Sequence, residues 1–240
     1  MRRTALSLAA ILLCAASAAR AYRPFDNTDA DTAKTGEIEL EVGPAGFTHQ
    51  SGQTTYSPLF IFNYGFLPGY EVVLEYQNQL VLGTLTGGPR ESVGSGELTV
   101  KHVLREGVLQ GGEGPSVALE MGAFLPGIKT QSGFGAIATG IISQRFGLAT
   151  LHLNVNLGLQ RDGNFWTEPA LVAEGPESWT VRPVAEVLYG HEFGGPNEAS
   201  TLLGGIWKID DDLALDLGLR AGREAGAPVE EIRCGFTISF

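Results

Sequence analysis

Apolar and polar residues alternate with a period of two from residue 36 to the C-terminus. Residues 151–159 place Leu, Leu, Val, Leu and Leu on one face, and His, Asn, Asn and Gly on the other. Residues 213–220 and 232–240 repeat this alternation. A period of two is that of a β-strand whose two faces meet different surroundings. The pattern therefore predicts an all-β fold.

Twelve such segments are separated by stretches rich in Gly, Pro, Asp and Asn, which favour turns. An even number of strands returns both termini to one side of a barrel, and ten or fourteen strands are the alternatives. Tight turns and longer stretches mostly alternate, which predicts short periplasmic turns and longer outer loops. We place the strands at residues 36–48, 55–64, 69–82, 95–106, 115–125, 134–145, 147–160, 165–174, 178–190, 198–209, 212–221 and 230–240.

The polar face distinguishes a membrane barrel from a soluble β-sandwich. Soluble strands usually carry Lys, Glu and Thr where they meet water, whereas Gly, Asn, Ser and Ala dominate here, as in a crowded barrel interior. We therefore favour an antiparallel transmembrane β-barrel, and a sandwich is the alternative. Aromatic residues near strand ends would form the girdles of a barrel. The girdle candidates are Tyr56, Phe60, Phe62, Tyr64, Phe66, Tyr70, Phe134, Phe146, Trp166, Trp179, Tyr189 and Trp207.

The first 21 residues have the pattern of a cleaved secretory signal peptide. Two arginines precede an apolar run, and residues 19–21 supply the small-x-small cleavage pattern. We assign residues 22–35 to an N-terminal periplasmic segment and residues 36–240 to the barrel. After the signal, no uncharged apolar run approaches the ~18–20 residues of a membrane helix. The sequence therefore predicts a protein exported to the outer membrane.

Candidate chemistry is sparse along the chain. The net charge of −11 leaves no basic stripe for nucleic acid. The four histidines are scattered rather than spaced as metal ligands, so we expect no metal and no cofactor. His152 is a candidate general base on the inner face, but no serine or aspartate at a suggestive spacing accompanies it. We expect a protein that is not an enzyme, and a barrel enzyme using His152 is the lesser alternative.

The polar face, turned inward, predicts the residues of the lumen. Acids outnumber bases there, and confined charges must be paired or hydrated. The lumen is then either a plug of ion pairs or a narrow, mixed-charge, water-filled pore, and we favour the pore. The lumen-lining candidates are Glu39, Glu75, Glu97, Lys101, Glu120, His152, Asn154, Asn156, Arg182, Glu186, Asp216, Arg220 and Arg233.

Several stretches resemble one family of Gram-negative outer-membrane proteins. They are residues 23–33 leading into 36–41, the recurring turns such as 63–72, residues 201–205, and the final Phe240. The family is named after the meta-pathway of phenol degradation, and its members are often called transporters. The resemblance implies an outer-membrane barrel with a proposed role in uptake of small, often aromatic compounds. It also implies a C-terminal signal for the barrel-assembly machinery, which we place at Phe236, Ile238 and Phe240.

The sequence thus predicts a porin-like barrel in outer-membrane lipid that passes small solutes, aromatic or hydrophobic ones among them. A closed structural or surface-binding barrel without transport is the alternative.

Overall fold

The computed structural model describes residues 23–82, 91–127 and 132–240, so the predicted signal peptide lies outside the described residues. Within them the strands form one antiparallel sheet, and a 3-10 helix lies at Val108–Gln110. No helix of the described part is long and apolar enough to cross a membrane. The strands are β1 (Ile38–Gln50), β2 (Gln53–Tyr56), β3 (Leu59–Leu67), β4 (Tyr70–Leu82), β5 (Glu91–Arg105), β6 (Ser116–Leu125), β7 (Ala136–Phe146), β8 (Ala149–Leu159), β9 (Phe165–Glu174), β10 (Val181–Glu192), β11 (Asn197–Lys208), β12 (Leu213–Glu224) and β13 (Ala227–Ser239).

The sheet closes on itself because β1 pairs with β13, with Leu40 opposite Ile238. β2 and β3 are the two halves of one position in the wall. Both pair with β1 on one side and with β4 on the other, and residues 57–58 separate them. The barrel therefore has twelve strand positions, which confirms the predicted all-β antiparallel barrel.

Each predicted strand corresponds to a strand position in the wall, and the limits of 165–174 are the same in both. The largest difference is at β5, which begins at Glu91 rather than 95, and both strands of the last turn are longer than predicted, since the ends predicted at 221 and 230 extend to Glu224 and Ala227. Only Ala225 and Gly226 remain between the strands, and both have positive φ. Such a two-residue turn matches the twist of a hairpin and lets the strands pair to their ends.

The two faces of the wall differ in the way expected of a membrane barrel. Leu153 and Leu157 point outward and are 45% and 44% exposed, whereas Asn154 and Asn156, which lie between them in the sequence, are buried. Exposed leucines against buried asparagines reverse the order of a water-soluble protein. The outer face is therefore suited to lipid and the inner face to polar contacts.

The barrel has two ends, which we name by the chain termini. β1 begins and β13 ends at the same end, here called the terminal end; the opposite end is the far end. The 3-10 helix belongs to the longest connection of the terminal end. Terminal-end connections comprise residues 68–69, 106–115, 147–148, 175–180 and 209–212. The far-end connections that the structure describes in full comprise residues 51–52, 160–164, 193–196 and 225–226.

Residues 23–33 lie inside the barrel, and we call them the luminal segment. The sequence analysis had placed residues 22–35 outside, on the periplasmic side, and for residues 23–33 this was wrong. Arg23, Phe25 and Ala30 are 3%, 7% and 0% exposed. The segment enters the lumen because inward-facing polar groups of the wall pair with its backbone, as described below. Only the short stretch before β1 is exposed at the terminal end.

Candidate functional site

The luminal segment begins with a buried arginine. The Nε atom of Arg23 lies 3.3 Å from Oδ2 of Asp216 on β12, and its backbone N–H donates to Glu41 on β1 over 3.0 Å. Gly43 makes room for the guanidinium, since a Cβ atom there would overlap Nη1 of Arg23. The wall thus supplies both charge and space for the first residue of the segment.

Two further arginines of the wall hold the segment at Asp26. Nη1 of Arg233 lies 2.6 Å from Asp26 Oδ1 and donates to the Pro24 carbonyl over 3.0 Å. Arg220 contacts the other Asp26 oxygen, and Arg233 also pairs with Glu231 at 2.7 Å. Buried charges are tolerated when they are paired in this manner. Asp26 therefore joins β12 and β13 to the segment.

The middle of the segment is held by amides and a carboxylate. The backbone N–H and the Nδ2 group of Asn27 both donate to Glu186 Oε1 over 3.0 Å. Asn156 donates to Asn27 Oδ1 over 2.8 Å, and Asn154 donates to the Thr28 carbonyl over 2.9 Å. These contacts link the segment to β8 and β10 on the inner face of the wall.

Ala30 anchors the end of the segment nearest the 3-10 helix. Its N–H donates to Ser143 Oγ over 2.9 Å, and its carbonyl accepts from Gln110 over 2.9 Å. Its methyl group packs in a small buried apolar cluster with Ile141. Ser143 Oγ also lies 2.8 Å from Nδ1 of His152. The Ser143 hydroxyl thus contacts both the Ala30 amide of the segment and the His152 ring of the neighbouring strand.

Sequence analysis found no partner for His152, and the structure supplies two. Ser143 is on the neighbouring strand β7, and Glu174 on β9 lies 3.8 Å from Nε2 of His152. A serine, a histidine and an acid at these distances invite comparison with a hydrolase site. Here, however, Ser143 is fully buried beneath Ala30, so the arrangement fastens the luminal segment. Among the described residues, no three His, Cys, Asp or Glu side chains form a metal-binding group.

The predicted lumen residues lie on the inner face and divide by what they contact. His152 reaches the segment through Ser143, Glu39 accepts from Ser239 over 3.0 Å, and Arg182 pairs with Glu174 at 3.1 Å. Three carboxylates, Glu75, Glu97 and Glu120, line a cavity instead. Seven residues bind the luminal segment directly, namely Lys101, Asn154, Asn156, Glu186, Asp216, Arg220 and Arg233.

The three residues of the predicted assembly signal occupy the outer face of β13 or follow it. Ile238 and Phe240 are 37% and 66% exposed. The backbone of Phe240 exchanges two hydrogen bonds of 2.9 Å with Ile38, which extends the closing seam between β1 and β13. The C-terminus thus ends at the terminal end with an exposed aromatic ring.

A cavity of about 310 Å³ lies between the luminal segment and the far end, which we call the far-end cavity. Residues 25–28 of the segment form part of its boundary. Its apolar wall consists of Leu59, Ile61, Val73, Phe124, Ile137 and Trp166. Its charged wall consists of the acids Asp26, Glu75, Glu97, Glu120, Glu168 and Glu231 and the bases Arg23, Lys101 and Arg233.

Trp166 and Glu168 are among the cavity residues that the sequence analysis did not assign to the lumen. Trp166 was assigned to an outer girdle, and Glu168 was not assigned to the lumen. Both face inward on β9, and the Trp166 ring lies 6.4 Å from the Phe124 ring. The alternation did not distinguish the inner from the outer face of β9, because the inner face also carries the apolar residues Ala170 and Val172. Both faces of this strand mix apolar and polar residues.

Neither a protein-family model nor a curated protein matches the chain. Solved structures share its fold. The COG4313 outer membrane channel from Pseudomonas putida F1 has a TM-score of 0.68 at 10% identity, covering 90% of this chain and 100% of that chain. The KdgM porin has a TM-score of 0.55 at 10% identity, covering 85% and 99%. The β domain of the Bordetella autotransporter BrkA has a TM-score of 0.52 at 15% identity, covering 86% and 100%. These similarities show an outer-membrane barrel fold.

Proposed function

We propose that the protein is an outer-membrane channel for small solutes, closed by its own luminal segment. One observation carries the proposal: a closed sheet with a lipid-suited outer face encloses a cavity of about 310 Å³ that residues 25–28 of the luminal segment help to line. The shared fold with the Pseudomonas putida channel and the KdgM porin supports it. The apolar wall of the cavity suits solutes with a hydrophobic or aromatic part.

The orientation follows from the termini. Outer-membrane barrels with an even number of strands keep both termini in the periplasm, so the terminal end would face the periplasm and the far end the cell surface. Solutes would then reach the far-end cavity first and meet the luminal segment next. Passage requires that the segment shift, since Asn27 and Thr28 bind across the lumen to β5, β8 and β10.

The contacts of the segment make it suitable as a removable closure. Pro24, Phe25, Ala30 and Ala33 are its buried apolar residues, and its other contacts described above are hydrogen bonds and ion pairs. Water can replace such contacts, and the net value of one hydrogen bond is about 0.5–1.5 kcal/mol. Release of the segment therefore costs far less than unfolding a barrel strand.

Delivery to this membrane is part of the same proposal. Residues 1–21 would direct export, and the barrel-assembly machinery would recognise Phe236, Ile238 and Phe240. The exposure of Phe240 at the terminal end supports this role, because a ring packed in the barrel wall would be inaccessible to a receptor.

Conductance in planar bilayers tests the channel. The mature chain and a variant lacking residues 22–35 are purified as folded barrels and compared, with Thr35→Ala as a control at an exposed position of the same segment. We expect small or rare openings in the mature chain and the control, and a larger, steady conductance in the deletion variant. If the deletion variant folds but neither conducts nor admits solutes into liposomes, the protein is a closed structural or surface-binding barrel.

A further inference from the structure

We propose that the far-end cavity binds small organic cations, namely protonated amines carried on a flat apolar or aromatic body. The inference rests on the proposed channel function and names the class of solute that the cavity selects. It follows from the negative charge of the cavity, from its unpaired polar atoms and from its apolar wall.

The bases of the cavity wall are already used by other partners. Arg23 pairs with Asp216, which lies outside the cavity wall, and Arg233 pairs with Asp26. Lys101 lies 3.7 Å from Glu71, also outside the cavity wall. These three bases are therefore paired with Asp26 of the luminal segment or with acids outside the cavity wall. None of them forms an ion pair with the other carboxylates discussed next.

Four acids of the cavity have no such partner. Within the described part of the chain, no Lys or Arg nitrogen lies within 4.0 Å of their carboxylates, and two of the four, Glu75 and Glu97, accept no hydrogen bond either. Glu75 stands directly opposite Glu97 across the β4–β5 pair, and Glu120 repels both from β6. Like charges in this arrangement are unfavourable, so a bound cation would relieve the repulsion. The four acids are Glu75, Glu97, Glu120 and Glu168.

Buried polar atoms without partners border the same space. Asn63 and Asn154 line the cavity, both side chains are fully buried, and in each the Oδ1 atom has no donor among the described residues. An unsatisfied buried acceptor is unfavourable, and a ligand with N–H groups that reaches it would supply the missing donor. An ammonium group offers three donors and no acceptor, so it suits both these oxygens and the carboxylates.

The apolar wall offers a place for the body of such a ligand. Phe124 and Trp166 are neighbouring aromatic rings, and the face of an aromatic ring attracts cations. The structure contains one instance at this wall, because the Arg161 guanidinium lies 5.2 Å from the Phe124 ring centre. That guanidinium donates to the backbone carbonyls of Leu125 and Gly96 and attracts Glu97, so it offsets only part of the negative charge of the four acids. The cavity volume is at the lower limit of small-molecule pockets, about 300–1,000 Å³, which favours a single-ring ligand.

Calorimetry on the full mature chain in detergent tests the inference without requiring transport. The three probes each contain one benzene ring and differ in charge. They are benzylamine, which is protonated at neutral pH, neutral benzyl alcohol and the anion benzoate. The test variant is the double substitution Glu75→Gln and Glu97→Gln, which keeps side-chain size and removes the repulsion. The control is Glu177→Gln, an exposed acid at the terminal end. Unboiled gel mobility verifies that every variant is a folded barrel.

We expect benzylamine to bind at least about tenfold more tightly than benzyl alcohol, and benzoate to bind least, since a hydrogen bond to a charged group contributes about 1.5–3 kcal/mol. The double variant should lose that preference while Glu177→Gln keeps it. Equal binding of the three probes, or a preference unchanged in the double variant, would overturn the inference. A channel that conducts yet shows no preference refutes the cation site alone. Selective binding by a barrel that never conducts refutes the channel alone.

Discussion

Asn27 is the residue whose loss should loosen the luminal segment most cleanly. Its side chain donates to Glu186 over 3.0 Å and accepts from Asn156 over 2.8 Å. The bond to the carboxylate contributes about 1.5–3 kcal/mol and the neutral one about 0.5–1.5 kcal/mol. Asn27→Ala should therefore weaken docking of the segment by about 2–4 kcal/mol, which increases the undocked population about 30- to 1,000-fold. The barrel wall itself is untouched by this change.

Hydrogen–deuterium exchange of the segment measures that population. The amides of Ala30 and Ala33 donate to Ser143 and Glu71, so they exchange only when the segment leaves these acceptors. Exchange in residues 23–35 should accelerate within the stated range in Asn27→Ala and stay unchanged in Thr35→Ala. Strand amides should keep their protection in both variants. Rapid exchange of the segment in the unaltered protein, or no acceleration in Asn27→Ala, would refute the reasoning.

Three further predictions follow from the same contacts. Ser143→Ala leaves the Ala30 amide buried without an acceptor. The free energy that protects this amide from exchange should therefore fall by about 1–3 kcal/mol, while any background hydrolysis stays the same. Deletion of Phe240 removes the exposed terminal ring, and membrane fractions should contain less folded barrel than those of a Leu148→Ala control, an exposed residue in a terminal-end turn. Boiled and unboiled samples should migrate differently in gels, because a closed barrel resists detergent; equal migration would contradict a closed sheet.

The wall of the barrel could be predicted from the sequence because each strand has one local signal. Alternation fixes which residues face inward without knowledge of any distant contact, and it assigned Asn154 and Asp216 correctly. It failed at Trp166, where the inner face is as apolar as the outer one. A residue such as His102 shows that exceptions to the alternation need not change the register. This histidine stays on the outer face, stacked on the Tyr70 ring at 3.8 Å.

The luminal segment could not be predicted because its position depends on partners far away in sequence. Residues 23–33 have no period of their own, and an acidic, proline-containing stretch after a signal peptide usually reads as solvated chain. Its partners belong to strands up to 209 residues away, as in the Arg233 bond to the Pro24 carbonyl. The inward acids and bases were visible in the sequence, but the sequence did not show that a peptide occupies the space between them.

The charges on the inner face of the wall form two groups, one that contacts the luminal segment and one that lines the far-end cavity. Arg220 and Arg233 converge on Asp26, and Asp216 takes Arg23, so the segment is held by neutralised pairs on β12 and β13. The cavity acids Glu75 on β4, Glu97 on β5 and Glu120 on β6 receive no part of this pairing and remain around the cavity, whereas Glu71 on β4 holds the Ala33 amide of the segment. A single charge reversal would therefore have opposite effects on the two sides. At Arg220, Arg233 or Asp216 it would release the segment, whereas at Glu75, Glu97 or Glu120 it would supply the missing countercharge and leave the segment in place.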